Sequence, residues 1–166
     1  MKEIKLYDVV SYAGHEWFVI EIDNDKVTLL AKNDDFGHRC FDENFFGYED
    51  SEIRKYLNTI VLNELTENGA CLETVTLEDL EDKVYLLLSE RKTRDLPEYV
   101  RKFSNWWWIG SLGFNSYSAI YVDNDGNTYP NGILTTKESG SVRPAIIVKI
   151  VNLQKSLELE PKMIEE

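Results

Sequence analysis

Glu16-Trp17-Phe18-Val19-Ile20-Glu21-Ile22, then Asp23-Asn24-Asp25-Lys26, then Val27-Thr28-Leu29-Leu30-Ala31, is the stretch that decides the fold. Two apolar runs rich in β-branched and aromatic residues flank a cluster of Asp and Asn, whose side chains favour tight reversal. The pattern predicts an antiparallel hairpin. Just upstream, Leu6-Tyr7-Asp8-Val9-Val10-Ser11-Tyr12 has the same strand-forming composition and is broken by Ala13-Gly14-His15. The chain therefore opens as a meander of strands.

Working outward from the hairpin, residues 33–50 are polar and punctuated by glycine, yet carry Phe36, Phe41, Phe45, Phe46 and Tyr48. That is too many rings for a free linker, and it predicts a long loop pinned to the core. Ser51 then stands as N-cap of a helix whose apolar face is Ile53, Tyr56, Leu57, Leu62 and Leu65, ended by Asn68-Gly69. Thr76 and Asp79 occupy capping-box positions in a short acidic segment, residues 76–82. Lys83–Ser89 reads as a buried strand, and Glu98–Phe103, just after Pro97, as a short helix.

Trp106-Trp107-Trp108-Ile109 reads as a strand, loosened by Gly110-Ser111-Leu112-Gly113. Ala119-Ile120-Tyr121-Val122 and the residues after Asp123-Asn124-Asp125-Gly126-Asn127 form a second hairpin, because Asp-Gly is a strong turn signal. Val142–Ile150 is a terminal strand, with Pro144 placing its start at an edge or bulge. The expected architecture is α+β: a twisted antiparallel sheet with a few short helices around one core. Residues 1–153 make a single domain, and 154–166 a charged tail that frays.

Four blocks carry a resemblance: Ile53–Asn58, Asp82–Ser89, Trp106–Ser111 and Val142–Ala145. Together they resemble a bacterial and phage family of unknown function, with a Trp-Trp-x-Arg-Ser-Pro-type block and a terminal Val-Arg-Pro-Ala strand. The resemblance spans residues 15–150 and implies a distant variation on the C-type lectin-like fold, with residues 110–140 as the presenting region. It implies no activity. The chain departs from the family block at Gly110, where Arg would stand, and at Leu112, where Pro would stand, so no role of that Arg carries over.

Composition bounds the function classes. With 43% hydrophobic residues the chain has the apolar mass for a core, and no run approaches the length of a membrane-spanning helix. The N-terminus has neither an apolar core nor a small-residue cleavage site, which predicts no secretory leader and a cytoplasmic location. Cys40 and Cys71 then read as reduced, structural thiols. Of the net charge of −12, residues 34–82 hold −11, from 14 acids against Arg39, Arg54 and Lys55. Nucleic-acid backbones are poor partners for such a surface; a basic protein is a better one.

Candidate chemistry is sparse. In a strand, Trp106 and Trp108 face one side and Trp107 the other, so the strand is either buried on both faces or presents one ring outward as a stacking platform. Asp123–Asn127 resembles the opening of a calcium loop but has no bidentate Glu downstream, and reads as a turn. His15, His38, Cys40 and Cys71 lack metal-ligand spacing, and no nucleophile elbow or phosphate loop exists, so neither metal nor cofactor is expected. Arg143 is assigned a folding role, clamping carbonyls or a carboxylate. The expectation is a non-catalytic module that binds a protein. Its candidate surface is Trp107, Asn115, Tyr117, Tyr129 and Asn131 with the acids Glu78, Asp79, Glu81 and Asp82. Two alternatives stand beside it: an inhibitor whose acidic face imitates nucleic acid, and an enzyme with an unrecognised site around His38 and Cys40 or Arg143.

Overall fold

A computed structural model describes residues 3–44, 47–77 and 80–154. It is a mixed α+β structure of antiparallel sheets and short helices. Strands β1 (Val9–Tyr12), β2 (His15–Asp23), β3 (Lys26–Ala31) and β9 (Ala145–Lys149) form a four-stranded sheet in the order β1-β2-β3-β9. The β2–β3 hairpin stands where the sequence puts it, with Asn24 supplying the left-handed residue of the turn (φ 56°). Pro144 lies just outside β9, an edge strand, and its carbonyl accepts the Ala31 N–H at 3.0 Å.

Helix α1 (Glu52–Tyr56) runs through a π-helical turn, Leu57–Val61, into α2 (Leu62–Glu67). Ser51 Oγ accepts the Arg54 N–H at 3.2 Å, the expected N-cap. Ile53, Leu57, Val61 and Leu65 drive this helix onto one face of the sheet, against Trp17, Val19, Leu29 and Ile146. The loop before it is pinned by Phe36, Phe41 and Tyr48, all buried. Phe45 and Phe46 lie outside the described residues.

Two expectations fail. The described residues of the 76–82 segment are extended rather than helical: β4 (Val75–Leu77) and β5 (Leu80–Asp82) pair antiparallel, and the capping-box residue Asp79 lies outside the described residues. Arg54 decides this. Its Nε and Nη2 grip the Asp82 carboxylate at 2.7–3.1 Å, drawing the segment across the helix. Val84, Tyr85 and Leu86 are buried, but residues 83–89 make no ladder beyond one bridge, Tyr85 with Ala145. Their other backbone groups bond elsewhere. Asn58 Oδ1 accepts the Lys83 and Val84 N–H groups, Tyr48 Oη accepts that of Leu86, and the Gly110 N–H donates to Leu87 O. Extended apolar sequence here is satisfied by side chains, which periodicity does not reveal.

Helices α3 (Glu90–Arg94) and α4 (Glu98–Arg101) follow, then a three-stranded sheet of β6 (Trp107–Leu112), β7 (Ser118–Val122) and β8 (Thr128–Leu134). Strand β6 continues through Gly110, which is buried and leaves no room for a side chain, since a Cβ there would meet Leu88 Cδ2 at 2.5 Å. The core is three clusters rather than one. The main cluster lies between the large sheet and the helix, a second on the sheet's other face around Phe18, Leu30 and Tyr85, and a third around Trp107, Phe103 and Val122. Gln154 still belongs to a terminal helical turn, and the rest of the expected tail lies outside the described residues.

The β6–β7 turn approaches β8 with no room for a side chain: a Cβ on Gly113 would sit 2.2 Å from the Asn131 carbonyl oxygen. Gly113→Ala is expected to cost about 1–3 kcal/mol, measured by urea unfolding. It should also shift the amide resonances of residues 112–118 and 131–134.

Candidate functional site

The candidate residues divide by burial. Trp107 is fully buried, its Nε1 donating to Arg101 O at 3.1 Å, so it belongs to the core and not to a binding surface. Asp82 is likewise buried beneath Arg54. Both corrections have the same cause: each group finds a better partner inside the fold. Glu81 is exposed on β5, while Glu78 and Asp79 lie outside the described residues.

Asn115, Tyr117 and Asn131 do come together, at one end of the three-stranded sheet. Asn115 Oδ1 accepts the Tyr117 N–H and the Ser118 hydroxyl, turning the chain between β6 and β7. The Phe114 N–H donates to Asn131 O, and the Thr135 N–H to Tyr117 O, which lashes that turn to β8. Sequence reasoning missed what this tip carries. Phe114 is 80% exposed, and Leu112, Tyr117 and Leu134 are exposed beside it in the pairing scheme. A phenylalanine next to a Gly-rich turn was the available signal.

Tyr129 sits towards the other end of β8. Its hydroxyl donates to Asp123 Oδ2 at 2.7 Å, and its ring stacks on Tyr121 at 4.6 Å and 4°. Asp123 also accepts the Asp125 and Asn127 N–H groups, as an Asx turn rather than a calcium ligand. Burial works against its charge, but these donors outweigh it and hold the carboxyl below its ordinary value.

Cys40 and His38, the candidates for chemistry, are engaged by the fold. Cys40 Sγ lies 3.5 Å from Glu52 Oε2, and with Glu43 the three form a group whose ligand-type atoms fall within 4.8 Å. Glu52 already accepts the Glu43 N–H, so the loop's own hydrogen bonds account for the cluster. Burial, then the Glu52 hydrogen bond, push the Cys40 thiol up to about 11, which keeps it neutral and a poor nucleophile. His38 Nε2 is 2.7 Å from Asp34 Oδ2. Cys71 is an exposed free thiol.

The acidic segment is also partly spent internally. Asp34 pairs with His38, Asp35 and Glu64 with His15, Glu73 with Lys26 and Asp82 with Arg54, while Asp42 is buried. Among the described residues no helix is long and apolar enough to cross a membrane. Compared with protein-family models, with curated proteins and with solved structures, the chain matches none.

His15 gives this region a pH dependence. Its ring, packed 4.5 Å from Phe36, lies between Asp35 (Nδ1, 3.0 Å) and Glu64 (Nε2, 2.7 Å). Burial opposes the charged ring, but the hydrogen bonds to Asp35 and Glu64 prevail and raise its pKa above the ordinary 6.5. A raised pKa stabilises the fold below the unfolded value, and that contribution fades as pH rises through the folded one. Carbon-bound ring-proton NMR should therefore titrate His15 above 6.5. The stability gap between the wild type and His15→Gln should narrow from pH 6 to pH 9.

Proposed function

We propose that this chain is a non-catalytic interaction module that presents the 110–140 region to a protein partner. The observation that carries the reading is the tip: Phe114, Tyr117, Leu112 and Leu134 are solvent-facing on backbone held in place by β8. Large exposed apolar side chains on a rigid turn are more useful for docking than for folding. A distant C-type lectin-like relationship accords with this arrangement. Two antiparallel sheets and short helices support a loop-rich end, and the same likeness drawn from the sequence assigns presentation to 110–140. An action in the cytoplasm fits the same reading, as does a partner with basic character, given the net charge of −12.

The nucleic-acid-mimic alternative is weaker than composition suggests. Carboxylates that imitate phosphates must be free to face a partner, and Asp34, Asp35, Glu64, Glu73 and Asp82, five of the fourteen acids in residues 34–82, pair instead with His38, His15, Lys26 and Arg54.

Placing a photo-crosslinking phenylalanine analogue at position 114, in the cells that encode the protein, tests the reading. A discrete adduct to one other protein is expected from position 114, and none from position 151, whose Val is also exposed. Phe114→Ala should abolish capture of that protein and leave the melting temperature unchanged. A monomer with no adduct from position 114 would contradict the proposal.

A further inference from the structure

The four indoles are not equivalent. Trp17, Trp107 and Trp108 are fully buried, and each spends its Nε1–H on a backbone carbonyl: Tyr12 O, Arg101 O and Arg39 O. Trp106 is half-buried and lines a cavity of about 370 Å³ together with Ser104, Tyr121 and Asp123. Its ring meets Tyr121 at 5.3 Å and 73°, and Tyr121 stacks in turn on Tyr129 at 4.6 Å. The register sets Tyr121 opposite both Trp108 on β6 and Tyr129 on β8, so these rings share one face of the small sheet. The row ends in a corner of two rings near right angles. Gly140 makes this packing feasible, since a Cβ there would lie 2.7 Å from the Trp106 ring.

Asp123 gives this corner its sign. Oδ1 accepts the Asp125 and Asn127 N–H groups, and Oδ2 accepts Asn127 Nδ2 and the Tyr129 hydroxyl. Burial works against the charge, but these donors outweigh it and keep the carboxyl ionised. Its field reaches the aromatic wall: burial first, and then the Asp123 charge, raise the Tyr121 hydroxyl. At the cavity's edge a second carboxylate, Asp34, already paired with His38, accepts the Ser104 hydroxyl at 3.4 Å. Among the described residues no Lys, Arg or His lines the cavity. Arg101 touches the same turn, at the Gly126 carbonyl, but lies outside the lining.

This combination selects one kind of cation. A metal ion or a primary ammonium needs free lone pairs, and the four donors on Asp123 have taken them. A trimethylammonium group has no N–H to satisfy and spreads its charge over its methyl groups. Aromatic faces and a nearby negative field are enough to hold it. Anions are repelled by the same field.

We propose that the Trp106–Tyr121 corner binds an alkyltrimethylammonium group, seated against the two rings with Asp123 as its counter-charge. The group belongs either to a free small molecule of the choline type or to a trimethylated lysine side chain. This site is separate from the Phe114 tip.

The test is a ¹H–¹⁵N titration of the intact chain with choline and with a short peptide carrying Nε-trimethyllysine. Two choline analogues serve as controls: 3,3-dimethylbutan-1-ol, which has the same shape without the charge, and ethanolamine, which has the charge on a primary ammonium. The Trp106 indole cross-peak, identified by its loss in Trp106→Phe, should move saturably with choline or the peptide and with neither control. Asp123→Asn keeps an acceptor for the turn and removes the charge, so it should weaken that binding at least about fivefold. Phe114→Ala should leave it unchanged, which separates this site from the docking proposal. Tighter binding of choline assigns the free small molecule; tighter binding of the peptide than of its unmethylated form and of choline assigns the modified lysine. The proposal is overturned if neither trimethylammonium probe moves the cross-peak at tens of millimolar. It is equally overturned if either control moves the peak as well as choline does, or if Asp123→Asn binds as the wild type does.

Discussion

The guanidinium of Arg143 is held between two aromatic rings, 4.5 Å from the centre of Phe103 and 4.6 Å from that of Trp107. Its Nε donates to Ala31 O at 2.7 Å, and no part of the residue is exposed. One side chain thus joins the end of β3 in the large sheet, the first residue of β6 in the small sheet and the segment after α4. Burying such a charge is costly: desolvation alone pushes Arg143 down to about 9, and Nη1 and Nη2 find no acceptor among the described residues. Stacking on two desolvated rings, at about 2 kcal/mol or more each, is the term able to offset that cost. Lysine could not substitute for it, because the sandwich needs a flat, delocalised cation.

Everything presented to solvent hangs from this joint. The Gly140–Val142 segment just before Arg143 bridges to Trp107 and to His38, so the loop of 33–50 and the small sheet share one strand-like seam. Trp108 reaches from that seam into the main core and donates to Arg39 O, while Trp106 remains at the surface beside Tyr121. The same three tryptophans therefore serve three environments: the third cluster, the main core and an open cavity. The tip at Phe114 lies at the end of the strand that Trp107 anchors, and it inherits rigidity from that anchor.

Much of this was legible in the sequence. Both hairpins, the Ser51 cap, the ring-pinned loop and the alternation of Trp106 and Trp108 against Trp107 follow from period, turn chemistry and capping alone. What escaped was of another kind. Residues 83–89 have strand composition, but Asn58 and Tyr48 take their hydrogen bonds, and side chains distant in sequence leave no periodic trace. The acidic 76–82 segment looked like a helix start until Arg54 claimed Asp82. Acids that read as a negative face turned out to be partners of His15, His38 and Arg54, since charge counts carry no direction. Trp107, proposed for the surface, is core because a third cluster exists on the far side of β6. The cavity beside Trp106 is lined from three stretches, 104–106, 121–124 and Ile133, which only the fold brings together.

The account's centre is the stacked, planar cation, and Arg143→Lys tests it most directly because it keeps a positive side chain and removes the plane. Urea unfolding of this variant should show a loss of about 3 kcal/mol relative to the wild type. An unchanged midpoint and slope would contradict the claim that the two sheets are joined through the Arg143 sandwich.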